Sequence, residues 1–163
     1  YLYKALYNRR EAVLKLAWSP TKRTPEGAVY DLLHKHKVKH VPAVFDRGLL
    51  LEDLNGYRLE YLVLENCGQN IDTYLRGLPT NEDHGPVVRV LVEQVMECLV
   101  LARSIGILHR DISSGNIAVR NSTATVIDWG YAKIVDYGVD GASDIAASWN
   151  FDPKNIEYGF NDA

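Results

Sequence analysis

Cysteine, basic stripes and long apolar runs are all scarce in this sequence of 163 residues. Its two cysteines, Cys67 and Cys98, are far apart and follow no metal-ligand spacing. This count excludes a disulfide framework and a zinc site built on cysteine pairs. We expect both thiols to be free and buried, as cysteines outside such sites usually are.

A large excess of either positive or negative charge is also missing, because the net charge is only −3 and no row of Lys and Arg stands out. Neither nucleic acid nor an anionic membrane surface is therefore expected as a partner. The longest apolar stretch, residues 87–108, is interrupted by five charged or amide side chains and so cannot span a bilayer. No signal-peptide pattern opens the chain, and we expect an intracellular protein. Because the first residue is Tyr1 rather than Met, we expect the sequence to be part of a longer chain.

The apolar pattern of the first third favours strands with one helix. Residues 1–18 alternate apolar and polar residues around NRRE, which predicts two strands joined by a turn. Thr24 followed by Pro25 predicts a helix start, with Thr24 as its cap and Pro25 at the first helical position. That helix should run to about His36. Residues 57–68 should form a further strand that ends in a polar link.

The remainder favours helices with a small hairpin. Residues 70–79 predict a short helix, and apolar residues recur at spacings of three and four from Val87 to about Ile105, which predicts the longest helix. Gly106 should end it. Two short strands, IAVR and ATVI, should follow, hinged at residues 121–123. This order of elements predicts an α+β fold with two unequal lobes.

One stretch, ILHRDISSGNIAV at residues 107–119, carries more polar groups than a turn needs. A hairpin leads from it to IDWG, residues 127–130. If that hairpin brings Asn116 beside Asp128, their oxygen atoms converge with the Asp111 carboxylate at one rim. Mg²⁺ binds one or two protein oxygens together with phosphate and water. A hydroxyl nucleophile needs a carboxylate beside it to receive its proton.

The combination of HRDISSGN (109–116) and IDWG (127–130) resembles the catalytic loop and the metal-binding motif of protein kinases, H-R-D-x-x-x-x-N followed by D-F-G. Together with VPAVFD, these motifs make the sequence most similar to the fungal-type protein kinases. The resemblance implies a truncated, two-lobed, protein-kinase-like α+β fold. Part of the N-lobe would lie at 1–66. Part of the C-lobe would lie at 67–163 and end within or just after the activation segment.

The same resemblance implies roles for five polar residues. Lys15, in AVLK, matches the lysine of the V-A-I-K strand that anchors phosphate, and Glu26 would be its partner on the following helix. Asp111 would be the catalytic base. Asn116 and Asp128 would hold Mg²⁺ against the phosphates of ATP. A protein substrate with a Ser or Thr hydroxyl is implied, and the oligomeric state stays open.

The nucleotide base would be held by residues that resemble the last N-lobe strand and hinge of a kinase. Leu64 would be the gatekeeper, and the backbone groups of Glu65 and Cys67 would meet the adenine. Val13 would cover the ring from above. Helical spacing further predicts that Glu26 faces the sheet and Lys15, whereas Asp31 falls on the other face of its helix.

Three departures from the kinase pattern keep other functions open. No Gly-rich phosphate loop precedes Lys15, Ser113 stands where many protein kinases carry lysine, and Trp129 replaces the Phe of D-F-G. The alternatives are a nucleotide-binding pseudokinase or scaffold, and an atypical kinase-ATPase similar to the RIO kinases or to the kinase of the KEOPS complex. A small-molecule kinase is disfavoured by Arg110, because such enzymes usually have Gly before the catalytic Asp.

Overall fold

The computed structural model describes residues 1–135 as an α+β structure in two parts. The first part is an antiparallel sheet with one helix packed on it. The second is built around one long helix and two very small sheets. The predicted α+β, two-lobed class is therefore confirmed. The predicted end of the larger lobe, residues 136–163, lies outside the described residues.

The larger sheet consists of four antiparallel strands in the order β1-β2-β4-β3. Their bounds are Leu2–Tyr7 (β1), Arg10–Pro20 (β2), Val44–Glu52 (β3) and Tyr57–Glu65 (β4). The β1–β2 hairpin turns at Asn8 and Arg9, which both have positive φ, 49° and 65°. Such a two-residue turn matches the twist of paired strands. It confirms the predicted pair of strands around NRRE.

Helix α1, Glu26–Lys35, packs on the inner face of this sheet through its buried side chains Val29, Tyr30 and Leu33. Gly27 permits the close approach, because a Cβ there would lie 2.8 Å from Arg47 Cδ. The predicted cap was wrong. Pro25, not Thr24, is the N-cap residue, and no side chain caps the helix. The fixed φ of proline is compatible both with the first helical position and with an extended residue just before the helix. Pro25 takes the second of these positions.

Two helices belong to the second part: α2, Ile71–Arg76, and α3, Gly85–Ser104. Asn70 caps α2 by accepting a 2.8 Å hydrogen bond from the Thr73 N–H. Helix α3 begins two residues before the predicted Val87, because Pro86 fits a first turn that needs no amide donor. Gly106, with φ of 78°, ends α3 as predicted.

The two small sheets hold the polar turns in place. One has the order β5-β7-β8 and the other pairs β6 with β9. Their strands are Gln69–Asn70 (β5), Ile107–Leu108 (β6), Ile117–Arg120 (β7), Thr123–Val126 (β8) and Lys133–Ile134 (β9). The predicted hairpin of IAVR and ATVI is confirmed as β7 and β8. Strands β5 and β9 were not predicted, because two residues carry no periodicity.

Within the described residues, one hydrophobic core runs through both parts and includes residues of α1, β4, α3 and β8. Both cysteines are free and buried, as predicted. Across residues 1–135, no helix has the length and apolar character needed to cross a membrane. Because the core is shared, side chains from the sheet and from the polar turns have fixed positions relative to each other.

Candidate active site

A cleft of about 310 Å³ separates the four-stranded sheet from the second part of the molecule. This volume lies at the lower end of the range found for small-molecule sites. Its walls combine apolar side chains at one end with charged and amide groups at the other. The site residues among its lining are Val13, Lys15, Leu64, Glu65, Cys67, Asn116 and Asp128. The cleft therefore contains most of the predicted site.

Lys15 of β2 lies at the centre of the polar end. Its ammonium nitrogen is 2.7 Å from Glu26 Oε2 and 2.7 Å from Asp128 Oδ1. The predicted pairing of Lys15 with Glu26 is thus confirmed. Asp31 instead faces outward and pairs with Arg47, as helical spacing predicted. Since Glu26 is only 5% exposed and Lys15 12%, solvent screens the pair weakly.

Burial and charge act in opposite directions on this cluster. Burial by itself would lower the pKa of Lys15, but the Glu26 and Asp128 carboxylates outweigh it and the pKa is raised. Burial also raises the pKa of Glu26, and Lys15 only partly opposes this. Lys15 therefore stays a cation in the cleft, where an anionic ligand such as a phosphate could bind it.

Asp128 is held in an unusual backbone conformation, with φ of 61° and ψ of 69°. Left-handed backbone costs free energy outside glycine and persists only where neighbours enforce it. Here the Gly130 N–H donates to Asp128 Oδ1 at 3.3 Å, and the Trp129 N–H donates to Glu26 Oε1 at 3.1 Å. Helix α1 thus fixes both the Lys15 ammonium and the turn that carries Asp128.

His109 and Trp129 form the buried support of this turn. Their rings meet edge to face at 4.5 Å, and His109 Nε2 lies 3.0 Å from the Ile127 carbonyl oxygen. Burial lowers the pKa of His109, so the neutral ring with Nε2–H as donor suits this contact. The Trp129 indole N–H donates to the Val126 carbonyl at 3.1 Å. The indole of Trp129 therefore adds a hydrogen bond to the packing.

We expect Trp129→Phe to lower the free energy of unfolding by about 1–3 kcal/mol, because it leaves the Val126 carbonyl without its indole donor in a buried place. Urea unfolding with an unchanged m value would measure this. Trp18→Phe is the matched control: Trp18 is 49% exposed and should shift stability by no more than about 0.5 kcal/mol. Equal effects of the two changes would contradict the assignment.

Asp111 and Asn116 form a second polar pair, of which Asn116 lines the cleft. The Asn116 amide donates to the Asp111 carbonyl at 2.8 Å and to Asp111 Oδ2 at 3.0 Å. The main-chain carbonyl of Asn116 accepts the Ile127 N–H at 2.9 Å, which sets Asn116 beside the residue that precedes Asp128. Asp111 itself is exposed and is not among the residues that line the cleft, but its carboxylate accepts a hydrogen bond from Asn116, which does line it. A carboxylate there can reach solvent or a bound hydroxyl group.

The apolar end of the cleft, which we call the slot, is lined by aliphatic side chains. Val13 of β2, Leu64 of β4 and Ala118 of β7 line it from both sides. Glu65, the last residue of β4, and Cys67 in the link that follows also line the cleft, with Cys67 Sγ 3.6 Å from the Glu65 carbonyl oxygen. Burial raises the pKa of the Cys67 thiol to about 11, so this cysteine is a packing residue rather than a nucleophile.

Sequence reasoning missed several contributors to the cleft. Leu2, Tyr3 and Lys4 of β1 line it, as does Gly68. Tyr30 of α1 lies fully buried in the core behind it. Strand pairing of β1 with β2 was predicted, and the register Leu2↔Lys15 could have placed β1 over the cleft. Nothing local in the sequence marks Tyr30, since it reads as one more apolar position on the helix.

The donor set at the polar end suits Mg²⁺ and a nucleotide phosphate. A carboxylate and an amide oxygen are the ligands that Mg²⁺ takes when phosphate and water complete its shell. Within residues 1–135 no cluster of three or more His, Cys, Asp and Glu side chains could hold a metal ion by itself. A site with only two protein oxygens beside a cationic lysine thus fits a metal that arrives with its phosphate.

Comparison with known proteins points to one class of enzyme. No family model matches the chain. The chain is 27% identical over 112 residues to mitogen-activated protein kinase p38b of Drosophila melanogaster, covering 68% of this chain and 29% of that kinase. It is 42% identical over 81 residues to serine/threonine-protein kinase pkn3 of Myxococcus xanthus, covering 46% of this chain and 14% of that kinase. These relatives are serine/threonine protein kinases.

A probable serine/threonine-protein kinase of Encephalitozoon cuniculi is similar at the same level, with 28% identity over 102 residues, 61% of this chain and 19% of that kinase. The chain therefore spans less than a third of the length of these three kinases. The kinase relatives agree with the two-lobed α+β fold of residues 1–135.

Proposed function

We propose that the chain is part of an ATP-dependent protein kinase that transfers the γ-phosphate to a Ser or Thr hydroxyl. The observation that carries this proposal is the ion-paired group of Lys15, Glu26 and Asp128 at the cleft, whose lining also includes Asn116. The kinase relatives support the class of enzyme.

Each polar residue has a role that its contacts support. Lys15 binds phosphate oxygens, and Glu26, nearly buried, keeps the ammonium directed into the cleft. Asn116 and Asp128 would hold Mg²⁺, which with ATP supplies an activated phosphoryl group and its leaving group. Asp111, exposed and oriented by the Asn116 amide, takes the proton of the attacking hydroxyl.

The nucleotide base belongs at the apolar end in this proposal. Val13 covers one face of the ring, Leu64 closes the back of the slot, and the main-chain groups of Glu65 and Cys67 bind its edge. The lobes divide between residues 66 and 67, so that the slot lies at their junction. Among kinases we place the chain with the fungal-type protein kinases, on the strength of HRDISSGN and VPAVFD.

The exposure of Asp111 supports a class of substrate. An exposed base beside the cleft can serve a hydroxyl on a macromolecule that never enters the cleft. We therefore propose a protein substrate rather than nucleic acid or a membrane lipid. The net charge of −3 gives no general attraction to nucleic acid or to an anionic membrane surface.

Transfer of radiolabelled γ-phosphate by the full-length protein tests the proposal. With Mg²⁺ and a generic protein substrate, we expect label in phosphoserine or phosphothreonine after acid hydrolysis, and no label when Mg²⁺ is chelated. Mg·ATP binding without any transfer, to itself or to added protein, would contradict kinase activity. That result would favour a nucleotide-binding scaffold.

A further inference from the structure

The link between the two parts of the molecule, residues 66–68, takes part in a contact that the proposed mechanism does not use. Arg120 of β7 donates through one terminal nitrogen to the main-chain carbonyl of Asn66 at 2.9 Å. Through the other terminal nitrogen it donates to Glu11 Oε2 at 3.0 Å. Arg120 belongs to the second part, Glu11 to β2 of the first, and Asn66 to the link that joins them. One guanidinium group therefore joins three segments of the chain.

The location of this contact relates it to the slot. Residues two apart on a strand share a face, so Glu11 lies on the same face of β2 as Val13 and Lys15, which line the cleft. On β7, Ala118 and Arg120 share a face in the same way, and Ala118 lines the slot. The Glu11–Arg120 pair therefore lies one side-chain position along each strand from the residues that line the slot.

The main chain of the link is packed closely against its surroundings. Asn66 Oδ1 accepts the Gly68 N–H at 3.0 Å. Gly68 has φ of 96°, and a Cβ there would lie 2.2 Å from the Val119 carbonyl oxygen. Glycine is thus required for the link to lie this close to β7. Because Asn66, Cys67 and Gly68 all line the cleft, a movement of the Asn66 carbonyl would change the shape of its edge.

The planar guanidinium explains why arginine suits this position. Both partners are exposed, with side chains 49% accessible for Arg120 and 61% for Glu11. An exposed ion pair by itself contributes little to stability. The guanidinium, however, presents its donors in a rigid fork, so a carboxylate bound by one nitrogen fixes the direction of the other. Glu11 thereby directs Arg120 onto the Asn66 carbonyl, and the contact acts on the local geometry of the link.

We propose that Arg120 is a positioning residue for the nucleotide base: paired with Glu11, it holds the main chain of residues 66–68 in the geometry that binds the edge of a flat, hydrogen-bonding ring. The restraint on the link belongs to the protein without ligand. The role in base binding rests on the proposed function. Phosphate binding should not depend on this contact, because Lys15 at the polar end has carboxylate partners of its own.

Arg120→Gln in the full-length protein tests the inference, because it removes the charged fork and keeps a polar side chain. Without nucleotide, amide hydrogen exchange at Gly68 should become about threefold faster, as expected for the loss of an exposed contact. Core amides of α3 should be unchanged, which separates a local effect from global destabilisation. The Kd for adenosine, which has no phosphate, should rise about threefold. The Kd for ATP should rise by the same factor with and without Mg²⁺.

Two further variants sharpen the test. Glu11→Gln should shift both measurements in the same direction, and adding it to Arg120→Gln should cause no further change, because the two side chains act as a unit. Fully additive losses would contradict this. Arg89→Gln is the matched control, since Arg89 is also a half-exposed, ion-paired arginine, 2.9 Å from Glu93 on α3, and does not line the cleft. It should change neither measurement.

The two measurements separate the parts of the inference. Unchanged exchange at Gly68 in Arg120→Gln would overturn the restraint on the link. Faster exchange at Gly68 with an unchanged Kd for adenosine would overturn the role in base binding. Faster exchange in a protein that binds neither adenosine nor ATP would support the restraint and contradict the proposed function, so the two can fail separately.

Discussion

Asp111→Asn should reduce the rate of phosphate transfer by a factor of about 10² or more while leaving ATP binding nearly unchanged. The reason is geometric. Within residues 1–135, the Asp111 carboxylate is joined to the site through the Asn116 amide and not through Lys15. Asparagine has the same shape and can still present an oxygen to that amide, but it cannot accept a proton. The measurement is kcat together with the Kd for Mg·ATP in the full-length protein.

Asp72→Asn is a matched control, because Asp72 is another exposed carboxylate that contacts the same loop. Its Oδ2 accepts the Ser114 hydroxyl at 2.6 Å, away from the cleft lining. We expect this variant to retain transfer within a fewfold of wild type. A loss of binding equal to the loss of rate in Asp111→Asn would mean that Asp111 is structural. Near-normal transfer would mean that another group is the base.

Asp128→Asn should weaken Mg²⁺-dependent ATP binding by about 10- to 100-fold, which corresponds to losing a charge-assisted contact of about 1.5–3 kcal/mol. Asp128 is the more exposed partner of Lys15, with a side chain 40% accessible, and can therefore reach a bound cation. Lys15 would keep Glu26 and stay buried with a counter-charge. The fold should survive for that reason. Calorimetric titration of ATP with and without Mg²⁺ measures the effect.

Asp31→Asn controls for the removal of a carboxylate near the same sheet. Asp31 lies on the outer face of α1 and pairs with Arg47 at the surface, so Mg·ATP affinity should not change. An unchanged Mg·ATP affinity in Asp128→Asn would remove Asp128 from the metal site. Equal losses with and without Mg²⁺ would show that it acts through Lys15 instead.

The sequence was sufficient to predict the ion pair at the centre of the cleft. Helical periodicity placed Glu26 on the stripe of Val29 and Leu33 and excluded Asp31. Both outcomes are confirmed by the contacts of Lys15 and Arg47. The hairpin of β7 and β8 was equally predictable, because Asn and Ser between two short apolar runs favour a tight turn. In the structure, Asn121 and Ser122 both adopt the positive φ, 51° and 59°, of a two-residue turn.

Contacts between distant residues could not be predicted in the same way. The Trp129 N–H donates to Glu26 across 103 residues of sequence. A hydrogen bond of this kind depends on how two elements pack, which no local pattern encodes. The predicted cap of α1 was wrong for a different reason, since Thr24-Pro25 is compatible with two helix starts that differ by one residue.

A crystal structure of the full-length protein with Mg²⁺ and a non-hydrolysable ATP analogue tests the central claim most directly. We predict the adenine between Val13 and Leu64, phosphate oxygens in contact with the Lys15 ammonium, and Mg²⁺ bound by Asn116 and Asp128 oxygens at about 2.1 Å. Asp111 should face the terminal phosphate. A nucleotide bound elsewhere, or bound in this cleft without metal contact to Asp128, would contradict the account.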